Sequence, residues 1–145
     1  MENKKMLKDF DEGVFATIVL GVVFDTKTKK ILIIKRKKDE YIPELTWAFP
    51  GGRPKYGEEL EEGLKRKIKE KIGLDVESLG PVFAKVYPER EELLAIYYLC
   101  EVVGGEEKLG EDIEEFKWIE PNEIENHFTT SFHPKLKEYI GGLKN

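Results

Sequence analysis

Cysteine is almost absent from this chain, and long apolar segments are absent too. Cys100 is the single cysteine in 145 residues, which excludes a disulfide framework and a zinc site built only from cysteines. The longest mainly apolar run, Phe15 to Phe24, is about half as long as a membrane-spanning helix requires. The first ten residues are charged and have no apolar centre, unlike a secretory signal. We therefore expect a cytoplasmic protein that does not bind membranes.

Arginine is also scarce, although charge is not. Only four of the 24 basic residues are arginine. The chain has 29 acidic residues and a net charge of −5, which argues against binding nucleic acid through a broad basic surface. A small anionic ligand in a local pocket is compatible with this balance. With 40% hydrophobic residues, we expect one domain with a single core at residues 13–145, after a polar lead-in at residues 1–12.

The order of apolar and polar segments predicts an α/β (α+β) fold, with helices on the faces of a mixed β-sheet. Runs rich in Val, Ile and Phe between turn-forming segments are typical of strands. We assign strands to residues 14–24, 31–36, 76–87, 93–103 and 113–119. A shorter strand at 47–52 ends in a Gly-rich turn. Two short helices, at 121–126 and 134–140, begin at prolines, which favour the first turn of a helix.

The clearest predicted helix covers residues 58–72. Its apolar residues recur at every fourth position and form one stripe. They are Leu60, Leu64, Ile68 and Ile72. Gly73 follows directly, where the left-handed residue that closes a helix is often glycine. Acidic residues occupy the first turns and lysines the last, which complements the helix dipole.

A motif with fixed spacing overlaps this helix. It consists of glycine, five residues, glutamate, seven residues and arginine, followed by an aliphatic residue, glutamate, glycine and a second aliphatic residue. The residues at these positions are Gly52, Glu58, Arg66, Ile68, Glu70, Gly73 and Leu74. This segment resembles the Nudix box, and the preceding run Trp47-Ala-Phe-Pro-Gly-Gly52 is also typical of the Nudix hydrolase (MutT-like) family. The resemblance extends over residues 13–140 and implies an α/β/α sandwich with helices on both faces of a mixed sheet.

The resemblance also implies an activity. Nudix enzymes hydrolyse the pyrophosphate bond of a nucleoside diphosphate linked to another group, with Mg²⁺ or Mn²⁺ on the phosphate oxygens. It implies that Gly51 and Gly52 shape a phosphate-binding loop, and that Glu58 and Arg66 serve catalysis by bracing this loop against the helix. In the alternative interpretation, Glu58 and Arg66 form an ion pair on a helix surface and have no role in catalysis. The implied partners are a small nucleotide ligand and, as is frequent in the family, a second copy of the chain.

Three positions of the box hold the metal-binding carboxylates in the family. Here these positions are Lys67, Glu70 and Lys71, which are neighbours on one helix face. Repulsion between an ammonium group and a neighbouring Mg²⁺ destabilises metal binding by on the order of 1–4 kcal/mol. The replacement of glutamate by lysine also removes a carboxylate ligand of the metal. Glu70 is then either a surviving metal ligand or the partner of Arg66. Lys67 and Lys71 are either a solvated face or groups that hold phosphate directly in place of the metal.

Four further charged residues each have two interpretations. The resemblance implies that Arg36 and Arg53 contact substrate phosphates, and otherwise both are exposed charges. Glu111 and Asp112 lie before a predicted strand, where the family often has a further carboxylate that binds metal or acts as a base. Otherwise the two acidic residues belong to a solvated loop.

Two functions are compatible with these residues. In the first, the chain is a Nudix hydrolase in which Glu70 acts with Glu111 or Asp112, or in which the metal is bound mainly through the substrate. In the second, the chain is a catalytically inactive nucleotide- or phosphate-binding module, or a scaffold, and it requires no metal. The family as a whole favours the first function, and the two lysines of the box favour the second.

Overall fold

The computed structural model describes residues 13–37, 47–128 and 133–143, so the lead-in predicted for residues 1–12 lies outside the described part. The strands of the described ranges are β1 Ala16–Asp25, β2 Lys30–Arg36, β3 Trp47–Ala48, β4 Gly51–Gly52, β5 Leu74–Tyr87, β6 Arg90–Gly105 and β7 Ile113–Ile119. The helices are α1 Leu60–Ile72, α2 Ile124–His127 and α3 Pro134–Gly142, and a 3₁₀ turn at Pro121–Glu123 precedes α2. In these ranges, no helix combines the length and apolar character needed to cross a membrane.

The strands form one mixed sheet, as predicted. Its main path has the order β3-β2-β1-β6-β5, with β4 paired to β1 and β7 paired to β2. β1 and β6 are parallel, from Ala16 opposite Leu93 to Val23 opposite Cys100. The other strand pairs are antiparallel. β1 therefore lies in the middle of the sheet, which explains why its sequence is apolar on both faces.

Side chains of β1 alternate between two hydrophobic cores, one on each face of the sheet. The first core contains alternate residues of β1 with residues of α2 and α3: Ile18, Leu20, Val22, Ile124, Leu136 and Ile140. The second core contains the other residues of β1 with residues of α1: Val19, Val23, Leu64, Ile68 and Ile72. Helices thus cover both faces of the sheet, and the predicted sandwich is confirmed.

The apolar stripe of α1 is shorter than predicted. Its last three members are fully buried, whereas Leu60 is 37% exposed. α1 begins at Leu60 rather than at residue 58, and its first turn lies at the edge of the sheet beside the half-exposed Phe15. Leu60 is therefore the exposed end of the predicted stripe, because periodicity identifies one face of a helix but does not show where the sheet beneath it ends.

β5 and β6 are longer than predicted. Gly73 has a φ of 81°, and its N–H donates to the Lys69 carbonyl, which closes α1. β5 begins at the next residue, Leu74. β6 continues to Gly105, which pairs with Leu74. The end of α1 is thereby fixed at the end of the β5–β6 hairpin. The pairing of Leu74 with Gly105 thus positions the C-terminal turns of the helix.

Candidate functional site

Glu58 and Arg66 join the loop before α1 to the helix. Arg66 Nε donates to Glu58 Oε2 at 2.9 Å, and Arg66 Nη2 donates to Glu58 Oε1 at 3.0 Å. The backbone N–H of Lys55 donates to the same Oε1 at 2.9 Å. This two-pronged pair is the strong form of an arginine–carboxylate contact. We call Glu58 and Arg66 the clamp, and the pair has the geometry that a brace between loop and helix requires.

The clamp changes the proton affinity of both partners. The Arg66 guanidinium, with the Lys55 N–H as a second donor, lowers the pKa of Glu58 from 4.5 to about 2. In turn, the hydrogen bonds to Glu58 raise the pKa of Arg66. Both groups therefore remain charged over the whole range in which a protein of this kind functions, and the clamp is a fixed element of the site.

Acid should remove the contribution of the clamp. Because the folded state lowers the pKa of Glu58 to about 2, the stabilisation is complete above about pH 4.5 and is lost as the pH falls towards 2. In thermal melts between pH 2 and 6, wild type should be more stable than Glu58→Gln at pH 6, and the gap should close towards pH 2. Glu62→Gln is the control, because Glu62 lies 3.8 Å from Lys65 on the exposed surface of α1. A gap of equal size at both ends of the range would contradict this interpretation.

The two glycines before the loop pair with the central strand. Gly51 lies opposite Leu20, and Gly52 lies opposite Val19. Gly51 has a φ of 155°, and a Cβ there would lie 2.0 Å from the Val19 carbonyl oxygen. A Cβ on Gly52 would lie 3.0 Å from Cδ of Lys67. The bare backbone at these two positions thus permits close approach of β1 on one side and of the Lys67 stem on the other.

The three box positions that carry carboxylates in the family are close together. Lys67 Nζ lies 3.8 Å from Glu70 Oε2, and Arg66 Nη1 donates to Glu70 Oε1 at 3.1 Å. Glu70 is therefore an ion-pair partner of Arg66, one of the two predicted alternatives. Lys71 is 9% exposed, so the interpretation of this residue as part of a solvated face is wrong. The loop after β6 docks against the helix here, because a Cβ on Gly110 would lie 3.1 Å from the Lys71 Cα.

The acidic loop before β7 is attached to both the helix and β2. The N–H of Gly110 donates to the Lys71 carbonyl at 2.9 Å. Arg36 Nη2 donates to Asp112 Oδ2 at 3.1 Å, and the Arg36 side chain is only 17% exposed. Arg36, a predicted phosphate contact, and Asp112, a predicted metal ligand, are thus partners of each other. The alternative in which Arg36 is simply an exposed charge is wrong.

The carboxylates of the described residues are not gathered into one metal-binding cluster. Within residues 13–37, 47–128 and 133–143, no three Asp, Glu, His or Cys side chains are close enough to share one ion. Glu70 faces two cations, and Asp112 faces Arg36. Glu111 and Arg53 have exposed side chains. Because Mg²⁺ prefers several oxygen ligands in octahedral geometry, the described side chains do not fit a site built from protein carboxylates alone.

A cluster of aromatic side chains lies on the other face of the sheet, and the sequence alone does not identify it. Trp47 contacts His127 with ring centroids 5.7 Å apart, and Phe49 contacts Phe128 at 5.2 Å. Phe83 contacts His133 at 4.9 Å. The alternation of Trp47 and Phe49 is a weak signal for one shared face, but their partners are distant in the sequence.

Known proteins resemble this chain in sequence. The NUDIX domain model matches residues 14–140. The ADP-ribose pyrophosphatase of Methanocaldococcus jannaschii is 36% identical over 114 residues, which are 75% of this chain and 64% of that relative. The 8-oxo-dGTP diphosphatase of Buchnera aphidicola is 40% identical over 62 residues, which are 43% of this chain and 45% of that relative. The chain thus spans less than two thirds of the length of either relative.

A solved structure has the same fold. The MutT protein from Methanosarcina mazei Go1 superposes with a TM-score of 0.67 and 19% identity, over 91% of this chain and 94% of that chain. This likeness concerns the arrangement of strands and helices alone. The family model, in contrast, matches both the box and the elements around it. On this evidence, the chain belongs to the NUDIX family.

Proposed function

We propose that this chain is a Nudix-type hydrolase that cleaves the pyrophosphate bond of a nucleoside diphosphate linked to another group. The observation that carries the proposal is the glycine turn at Gly51 and Gly52, held beside α1 by the clamp of Glu58 and Arg66. Family membership supports the reaction class. The name of a relative, ADP-ribose pyrophosphatase, supports the substrate class.

The reaction needs positive charge near the phosphates. A water oxygen bonds to one phosphorus and gives up a proton, the bond from that phosphorus to the bridging oxygen breaks, and the bridging oxygen leaves with the electron pair and takes up a proton. Negative charge collects on the non-bridging oxygens, which cations stabilise. We propose that Lys67 and Lys71 contribute this charge, with Arg36 at the neighbouring loop, since lysine binds phosphate as a point charge. The described carboxylates do not fit a metal, and we therefore assign no step to one.

A substrate panel tests the hydrolase proposal. Wild type is incubated with ADP-ribose, sugar nucleotides and nucleoside triphosphates, with and without Mn²⁺, and nucleoside monophosphate is measured by chromatography. We expect product above the protein-free blank, and at least about tenfold less product from Lys67→Met, which keeps the stem of the side chain and removes its charge. Lys65→Met is the matched control. The absence of product from every substrate would contradict the proposed hydrolysis.

A second candidate is a binding module without hydrolysis. It is favoured by the ion pairs of Glu70 with Arg66 and Lys67, which occupy the carboxylate that an ordinary Nudix mechanism would use. This candidate predicts binding of a nucleoside diphosphate in calorimetry together with an inactive substrate panel. Product formation in the panel would exclude it.

A further inference from the structure

We infer that this site binds the diphosphate of its ligand as the free anion, so that Mg²⁺ competes with the protein for the ligand instead of assisting its binding. The inference rests on the proposed nucleoside diphosphate ligand. We call the residues concerned the lysine turn, and they are Gly51, Gly52, Lys67, Glu70 and Lys71. In the family, by the resemblance described above, metal and phosphate meet at these positions.

Packing fixes the position of Lys67. A Cβ on Gly52 would lie 3.0 Å from Cδ of Lys67 and 3.3 Å from both Cγ and Cε, so the stem of Lys67 lies along the backbone of Gly52. The side chain is 27% exposed and its ammonium nitrogen lies 3.8 Å from Glu70 Oε2, so the held stem ends in a partly solvent-exposed side chain. A held cation beside a glycine backbone loses little entropy when an anion binds.

The charge of Glu70 is already balanced. Arg66 Nη1 lies 3.1 Å from one of its oxygens, and Lys67 Nζ lies 3.8 Å from the other. A cation that approached Glu70 would meet two positive groups at short distance, and it would have to displace at least one of them. The neighbouring carboxylate Glu58 is held by both prongs of Arg66. The carboxylates of Glu58 and Glu70 are therefore both paired with cations.

The charges at five positions of the box favour an anion over a metal. The charged side chains Glu58, Arg66, Lys67, Glu70 and Lys71 comprise three cations and two carboxylates, a net charge of +1, in a chain whose overall charge is −5. Glutamates at positions 67 and 71 would make the same set −3. Lys71 is almost buried, so solvent screens its charge less than that of a surface lysine.

Mg²⁺ acts against this arrangement in two ways. It lowers the negative charge of a nucleoside diphosphate by two, which weakens the attraction to a positive site. It also coordinates the non-bridging oxygens and holds water molecules around them, and these oxygens are the atoms that ammonium groups would contact. We therefore expect the site to bind the free diphosphate more tightly than the magnesium diphosphate. A site built from carboxylates would have the opposite preference.

Calorimetry with an inert ligand tests this inference. The probe is α,β-methylene-ADP, whose P–C–P bridge is not hydrolysed, titrated into wild type in EDTA and in millimolar Mg²⁺. We expect binding in EDTA and an apparent affinity at least about fivefold weaker in Mg²⁺. Lys67→Met should bind about tenfold more weakly than wild type in EDTA. Lys65→Met, which removes a lysine that pairs with Glu62 elsewhere on α1, should bind as wild type does.

The outcomes separate this inference from the proposed function. Tighter binding in Mg²⁺, or wild-type affinity in Lys67→Met, would overturn the inference and leave the nucleoside diphosphate ligand intact. An absence of binding in both buffers would overturn the inference and the ligand class together. Binding that Mg²⁺ weakens, combined with an inactive substrate panel, would support the inference and reject hydrolysis.

Discussion

Gly51→Ala is expected to lower the free energy of unfolding by about 3 kcal/mol or more, and to leave much of the protein unfolded in mild denaturant. The added Cβ would lie 2.0 Å from the Val19 carbonyl oxygen and 2.9 Å from the Leu20 Cα. Both atoms belong to the backbone of the central strand, which is held on its other side by β6. Since neither a rotamer change nor a small shift relieves that overlap, β4 should separate from β1.

Urea unfolding followed by far-UV circular dichroism measures this effect. Gly141→Ala is the matched control, because Gly141 lies in α3 and a Cβ there would meet no atom within 4 Å. That control should stabilise the protein by about 0.5–1 kcal/mol, the helix propensity difference between the two residues. If Gly51→Ala unfolded at the urea concentration of wild type, the close pairing of β4 with β1 would be wrong.

Replacement of both lysines in the box by glutamate should create a metal site. Lys67→Glu combined with Lys71→Glu places three carboxylates at positions 67, 70 and 71 and changes the local charge by four units. At about 1 kcal/mol per unit charge in a water-like dielectric, the affinity for Mn²⁺ should rise by about a thousandfold. In the substrate panel, hydrolysis that depends on Mn²⁺ should rise with it, because the ligand that the metal needs is restored.

The control for this variant makes the same change of charge on a different face of α1. Lys65→Glu combined with Lys69→Glu also changes α1 by four units, but Lys65 faces Glu62 and Lys69 faces Asp75. Mn²⁺ binding is measured by paramagnetic resonance, and thermal melts establish that both variants are folded. Lys67→Glu alone avoids the burial of a new carboxylate at position 71 and should show part of the gain. Equal Mn²⁺ affinity in the two double variants would contradict a site-specific effect.

Much of the fold follows from patterns within single segments. The spacing of Leu64, Ile68 and Ile72 predicts α1, and the apolar run of β1 predicts a strand buried on both faces, because these signals depend only on neighbouring residues. The exposure of Leu60 depends on where the sheet ends. That boundary is set by strands far away in the sequence, and periodicity contains no information about it.

The candidate site likewise contains contacts that one segment predicts and contacts that depend on distant segments. Glu58 and Arg66, the two residues of the clamp, are eight positions apart in one motif, and this spacing indicates their contact. The pair of Arg36 and Asp112 is 76 positions apart, and it forms because β2 and β7 are neighbours in the sheet. Lys71 looks like a surface lysine within the helix pattern. It becomes buried because Gly110 and the loop around it dock on the end of α1.

The parallel pairing of β1 with β6 has a consequence for biosynthesis. Ala16 and its partner Leu93 are 77 positions apart, so the ribosome needs roughly 4–15 s to supply the second strand after the first, at about 5–20 residues per second. During that interval the long, mainly apolar strand β1 has no neighbour on one edge. The nascent chain therefore passes through a period in which β1 is open to pairing with other chains.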